Sequence, residues 1–319
     1  MAAYVIRRCG AGVLVLLIVS VVVYLGLSLA PGDELTARLS PEVVAQLSPE
    51  QVEQQRAAMG LDDPLPLRYV AWLGDTLSGD LGYSATDGVS VTEDLRRHIG
   101  PTLLLLGTAF VIGTVFALVL GVVAALRQHT AVDYVLAALP VVLIGIPGFV
   151  LSLALIYLFS VKLGWLPTSG MHTLGEDSLG DLVKHLVLPA SVLAIGFAAP
   201  LLRYTRASML DVLGSEYVMT ARAKGLSGRT VIVRHALRSA LLPIITVIGI
   251  SLPETIAGAV IVEQVFGWPG MGQLAVRAAG ARDVALMLGI VLVVATAVTI
   301  ANLLTDLAYA KADPRVRLG

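Results

Sequence analysis

Long runs without a single Asp, Glu, Lys or Arg dominate the chain. They cover Cys9 to Gly32, Ile99 to Leu126, Tyr134 to Val161 and Leu186 to Leu202. Ser239 to Val262 is broken only by Glu254, and Val284 to Thr305 completes the set. Five of the six reach the ~20 apolar residues needed to cross a ~30 Å hydrocarbon core as helix; the fourth, at 17, extends through His185. None alternates apolar and polar positions, as barrel strands do. The pattern predicts six transmembrane helices. Between the runs, Ser48-Pro49-Glu50-Gln51 reads as a helix start and Leu61 to Pro66 as a turn. Tyr69 to Leu77 reads as a short amphipathic helix with Trp72 at the membrane interface.

Composition agrees. Of 319 residues, 56% are hydrophobic and only 14% charged, too few to clothe a soluble surface, and mean hydropathy is +0.84. The net charge of −1 leaves no basic field for nucleic acid. Cys9, the single cysteine, cannot form an intrachain disulfide. The first apolar run follows Arg7 and Arg8 but is too long for the 7–15-residue core of a cleaved signal peptide.

Placement of the charges predicts orientation. With the N-terminus inside, the inner segments hold 13 of the 22 Lys and Arg, seven of them in the loop from Arg203 to Arg238. The outer segment from Pro31 to Gly100 carries 12 acids against five Arg. The positive-inside rule then places both termini in the cytoplasm. The expected divisions are a first helix at 1–32, an extracytoplasmic segment at 33–98, a five-helix core at 99–310 containing a cytoplasmic loop at 203–240, and a tail at 311–319.

Several chemistries are excluded by residue context. The four lysines follow Val, Val, Ala and Ala, so none completes a phosphate-binding Gly-Lys-Ser/Thr loop. No His precedes a Glu, and Cys and His do not cluster for metal. No enzyme activity, cofactor or metal is expected in this chain.

The basic loop is the most informative segment. Ser215 can cap a helix over Glu216 to Lys224, and Gly225 stands where a left-handed residue ends one. A second helix starts near Ser227 and enters the membrane at Ala240. The physics of this stretch fits an ordinary basic inner loop as well as a docking element.

The stretch from Glu216 to Pro243 resembles the EAA loop of permease subunits in binding-protein-dependent ABC importers, in the variant of the dipeptide/oligopeptide/nickel branch. The residues that carry the resemblance are Glu216, Thr220-Ala221, Ala223 and Gly225, then His235, Leu237 and Leu242-Pro243. Further motifs agree in order and spacing: Ala30-Pro31-Gly32-Asp33, Ser78 to Ser84, Gly145 to Phe149, His185 to Pro189, Glu263 to Gly272 and Asp313 to Arg317. The long outer segment after the first helix resembles the B-type permease of that branch.

The resemblance implies an all-α polytopic membrane protein with the type I ABC importer permease fold. The chain would be one half of a translocation pathway, most simply for di- or oligopeptides, with nickel, haem and glutathione as alternatives. A stand-alone secondary transporter or channel is the alternative from another class. Implied partners are a second homologous permease, two cytoplasmic ATPase subunits or one fused ATPase carrying ATP and Mg, an extracytoplasmic substrate-binding protein and the bilayer. The coupling helix would use Glu216, Tyr217, Ala221, Arg222, Lys224, Gly225 and Leu226, with Ala221 allowing close approach of the ATPase. Glu254, Pro147 and Phe149 would line the substrate path. The family pattern implies a neutral residue where Glu254 stands, and a structural glutamic acid is the competing reading. Phe266, Trp268 and Pro269 would lie where the binding protein docks.

Overall fold

The computed structural model describes residues 2–28, 43, 46–58 and 63–312. The Ala30 to Asp33 motif, Leu61 and Asp62 of the expected turn, and the closing Asp313 to Arg317 motif lie outside the described residues. Helices account for nearly everything described: α1 (Ala2–Ser28), α2 (Pro49–Ala58), α3 (Leu65–Ser78), α4 (Val91–Leu126), α5 (Ala131–Ile144), α6 (Gly148–Leu155), α7 (Leu179–Leu213), α8 (Glu216–Ala223), α9 (Leu237–Val265), α10 (Met271–Ala281) and α11 (Val284–Ala312). Two π-helical stretches continue this set, Ile156–Lys162 after α6 and Val231–Ala236 before α9.

Five helical segments are long and apolar enough to span a membrane, and a sixth if α5 and α6 with its π-helical extension are one span. The expected third span is therefore corrected. Tyr134 to Val161 is not one straight helix but two, bent by 104°. The break falls at Gly145-Ile146-Pro147: Pro147 has no N–H for a helical bond and disfavours helical geometry at Ile146. Elsewhere helices outrun their apolar cores. The 17-residue run Leu186 to Leu202 sits within the 35-residue α7. Its start is fixed by Ser178, whose side chain accepts the Asp181 N–H.

The chain folds into two units, both discontinuous in sequence. Unit one comprises Met1–Val5, Thr102–Trp268 and Ile300–Gly319; unit two comprises Ile6–Pro101 and Pro269–Thr299.

In unit one, α7 is the hub. Within its most apolar window 67% of residues are buried, against 11–33% for the other unbroken spans. It packs on α5, α6 and most extensively on α9. One half of its core joins Leu186, Val192 and Leu193 to Leu105 of α4 and to Val262, Phe266 and Trp268. The other joins Leu201, Leu202 and Met209 to Ala236, Ala240 and Ile244. Lipid supplies no hydrophobic drive between helices, so association rests on close packing at small residues. A Cβ on Gly121 of α4 would fall 2.6 Å from Cβ of the fully buried Thr205 on α7. On Gly249 of α9 it would fall 2.2 Å from Cγ2 of Thr305 on α11.

In unit two, Val91 and Leu95 pack with Met271, Leu274, Ala278, Leu286 and Ile290. The buried Asp283 caps α11 by accepting the Leu286 N–H at 3.0 Å and takes a 2.6 Å bond from the Ser84 hydroxyl. Arg277 pairs with Asp94 at 2.8 Å. The expected amphipathic helix is α3. Its Tyr69 and Trp72 stack with Tyr24 of α1, and the Tyr69 hydroxyl bonds Ser20 at 2.8 Å.

Gly121→Val is expected to force α4 away from α7 and cost about 1–3 kcal/mol. Gly107→Val, at an exposed glycine with nothing within 4 Å of the added Cβ, serves as control. Thermal unfolding in detergent checks this; equal melting of the two variants contradicts it.

Candidate functional site

The loop after α7 folds back against the end of α7. α7 stops at Gly214, and Ser215 leads into α8 in extended backbone. Ser215 does not cap with its side chain as expected. Its hydroxyl turns back to donate to the Val212 carbonyl at 2.5 Å, while its own carbonyl accepts the Val218 and Met219 N–H groups. Val218 and Ala221 face inward and close a miniature core with Val231, flanked by Val212 and Leu213. The expectation for Ala221 is thereby corrected: its methyl is buried within this chain and is not offered to a partner.

The opposite face of α8 is open. Glu216, Met219, Thr220 and Ala223 point away from the miniature core, with Tyr217, Arg222, Lys224 and Leu226 exposed at its flanks and end. Tyr217 is 45% exposed and Met219 54%. Met219 escaped the sequence reading because no motif position names it.

Gly225 has φ +75°. Its N–H bonds the Arg222 carbonyl at 2.9 Å and the Leu226 N–H bonds that of Ala221 at 3.4 Å. This is the Schellman arrangement, and only a residue tolerant of positive φ closes it cheaply. Nothing lies within 4 Å of an added Cβ, so the constraint there is backbone conformation and not space. Ser227 then caps the next helix by accepting the Thr230 N–H at 3.3 Å.

Near this loop is an ion pair that the sequence did not single out. Arg206 of α7 donates from Nε and Nη2 to the two oxygens of Asp133, at 2.6 and 2.9 Å. The Asp133 side chain is 2% exposed and also accepts the His129 N–H. This bidentate pair ties the start of α5 to α7 seven residues before α7 ends. A signal existed in Thr130-x-x-Asp133, a helix-start pattern in which Thr130 accepts the Asp133 N–H.

A second region lies between α7 and α9. A cavity of about 250 Å³ is lined by Val192, Gly196 and Pro200 of α7 and by Ser251, Glu254 and Gly258 of α9, with Gly148 at the start of α6. Glu254 is exposed on this wall. Pro147 and Phe149 flank the lining residue Gly148 but do not themselves line the cavity; Pro147 instead precedes α6 at the bend. The apolar run containing Glu254 ends just before a second carboxylate. Glu263 is fully buried and accepts the Thr102 hydroxyl at 2.6 Å.

Phe266 and Trp268 require correction. Trp268 is fully buried and Phe266 nearly so, packed among Leu105, Leu186 and Leu188. Their loop is pinned from within: the Gly170 N–H bonds the Phe266 carbonyl at 2.8 Å, and the Trp268 N–H that of Glu263 at 2.9 Å. His185 holds the Gly170 carbonyl and Asp181 takes two bonds from Thr173. These aromatics therefore present no side chain to a docking protein; Pro269 stays partly exposed. Among the described residues no group of three or more His, Cys, Asp or Glu could hold a metal ion.

Within unit one, α6, α7 and α9 line the cavity, and α8 lies exposed on one face beyond the end of α7. Residues 117–318 match the family described as "Binding-protein-dependent transport system inner membrane component", and residues 1–89 match the N-terminal part of the same system's membrane component. The chain belongs to that family and is a multi-pass inner-membrane protein. It is 39% identical over 318 residues to the oligopeptide transport system permease protein AppB of Bacillus subtilis, covering 99% of each chain. It is 35% identical over 317 residues to the glutathione transport system permease protein GsiC of Escherichia coli K12, again covering 99% of each. The fold is similar to that of a chain in the structure described as "Inward facing conformations of the MetNI methionine ABC transporter": TM-score 0.56, 16% identity, covering 69% of this chain and 96% of that one.

Asp133→Asn is expected to leave the Arg206 charge poorly compensated and to lower the melting temperature in detergent. With Arg206→Gln added, the double variant should lose clearly less than the sum of the singles in detergent melts. Additive losses would show that the pair carries no coupling.

Proposed function

We propose that this chain is the peptide-conducting permease of an ATP-driven importer and takes its power stroke through α8. The carrying observation is that α8 is exposed on one face while its other face is keyed to both cavity-lining helices. Val218 and Ala221 pack against Val212 and Leu213 at the end of α7 and against Val231 on the way into α9. A push on α8 reaches α7 and α9 together, and those two helices line the cavity. Closure of a partner ATPase dimer would then act as a rigid-body lever that switches access.

In this reading Glu216, Tyr217, Met219, Arg222, Lys224 and Leu226 contact the ATPase, and Gly225 sets the projection of α8. Both termini and the α8 loop lie in the cytoplasm, in line with the basic bias of those segments. A second homologous permease completes the pathway, the ATPases supply nucleotide and Mg, and a binding protein delivers solute from the opposite side. The cargo reading rests on AppB, an oligopeptide permease by name. Glutathione, itself a γ-linked tripeptide, is the second reading, favoured by the likeness to GsiC.

The test is ATP-dependent uptake of labelled trialanine by proteoliposomes of the complete complex. Gly225→Val is expected to lower uptake at least about tenfold while ATP hydrolysis persists, because a β-branched residue at positive φ distorts the α8 cap. Wild-type uptake by Gly225→Val at equal abundance would contradict the lever.

A further inference from the structure

Among the described residues, Glu254 is the one ionisable group lining the cavity between α7 and α9. Its helix brings Ser251, Glu254, Thr255 and Gly258 to a single face, the spacing of one helical stripe. It lies 11 residues before the end of α9 at Val265, roughly 17 Å along the axis and so well inside a ~30 Å hydrocarbon core. Among the described residues its side chain makes no hydrogen bond or ion pair. The Thr255 hydroxyl, its nearest polar neighbour in sequence, is already committed to the Ser251 carbonyl at 2.8 Å.

A carboxylate at that depth is costly unless it faces water or a cation. Glu263, 9 residues further along the same helix, is buried and bonded to Thr102. Glu254 is not stabilised in that way. The surroundings leave room: Gly196 on the facing α7 has nothing within 4 Å of an added Cβ, and Gly258, one turn on from Glu254 along α9, meets only the tip of Leu193, at 3.9 Å.

We propose that Glu254 is the selectivity residue of the pathway and binds the ammonium group of the passing solute. This rests on the importer reading above and deepens it by naming the cargo class: molecules carrying a positive charge that enters the cavity and exchanges its hydration for the carboxylate. In a peptide that charge comes from the α-ammonium or from a lysine side chain. Charge-assisted hydrogen bonds of this kind are the strong ones, and their loss is expected to be visible in transport.

Complete wild-type and Glu254→Gln complexes in proteoliposomes are compared for ATP-dependent uptake of trialanine, N-acetyl-trialanine and N-acetyl-Ala-Lys-Ala. The binding protein is identical in both, so its own preferences cancel. The preference for trialanine over N-acetyl-trialanine is expected to fall roughly tenfold in Glu254→Gln. If N-acetyl-Ala-Lys-Ala slows as well, the side-chain ammonium is read too; if only trialanine slows, the α-ammonium is the ligand. Glu254→Asp, which keeps the charge, should retain most of the preference. An unchanged preference, or equal slowing of all three peptides, overturns the proposal. Where wild-type uptake of N-acetyl-trialanine falls below detection, trialanine rates decide, and equal rates overturn it. Glu254→Met replaces Gln should the latter fail to assemble. Failure of the wild-type complex to take up any peptide overturns the importer reading beneath, a result distinct from a Gln variant that matches a working wild type.

Discussion

Everything in the larger unit hangs on the enclosure of α7. A membrane removes the water that would otherwise drive helices together and leaves contact distance as the main source of cohesion. The chain meets that condition with side chains that are nearly absent. Gly113 brings α4 against the Ala194 carbonyl of α7, and Gly121 brings it against Thr205. Once α7 is gripped along its length, its far end can carry a loop without fraying. Its buried flank also gives α9 something fixed to slide or tilt against.

The pair formed by Asp133 and Arg206 belongs to the same logic. Placed at the loop end of α7, it fastens α5 there with a fork of two hydrogen bonds and leaves the cavity end to apolar packing. The bundle is thus polar and directional where force would enter. It is smooth and glycine-lined where solute would pass. Two carboxylates on one helix mark the contrast: Glu263 is closed in by Thr102, whereas Glu254 stands open.

The sequence revealed the spans because a charge-free run of twenty residues seldom occurs outside a bilayer. It revealed α8 and its cap because Gly225 follows a helix-forming stretch directly. It misjudged what depended on neighbours distant in the chain. Ala221 and Trp268 read as surface groups by motif, yet each is buried: Ala221 because the loop folds Val231, ten residues on, back over it, and Trp268 by Leu105 and Leu186, far along the sequence. Apolar runs also understated helix length, since Ser178 and Asp181 start α7 outside its apolar stretch. The break at Pro147 is legible because proline lacks the N–H of a helical bond, but its 104° angle is not, since a proline marks where a helix stops and not how far the two pieces diverge. Glu254 stood out as a charge inside an apolar run and Glu263 as the start of a motif beyond it, but the burial of Glu263 against Thr102 depended on a contact 161 residues away.

The π-helical turn at Val231–Ala236 bears on how such a subunit can change over time. Widening one turn takes up an extra residue and offsets the angular register of everything downstream. The π-turn therefore sets, by a fixed offset, the face that Glu254 shows to the cavity relative to the face that Val231 shows to α8. Removing one residue from this turn would swing Glu254 by about 100° relative to α8 while leaving the helix continuous, so the length of one turn, far from the cavity, decides which side chain of α9 faces it.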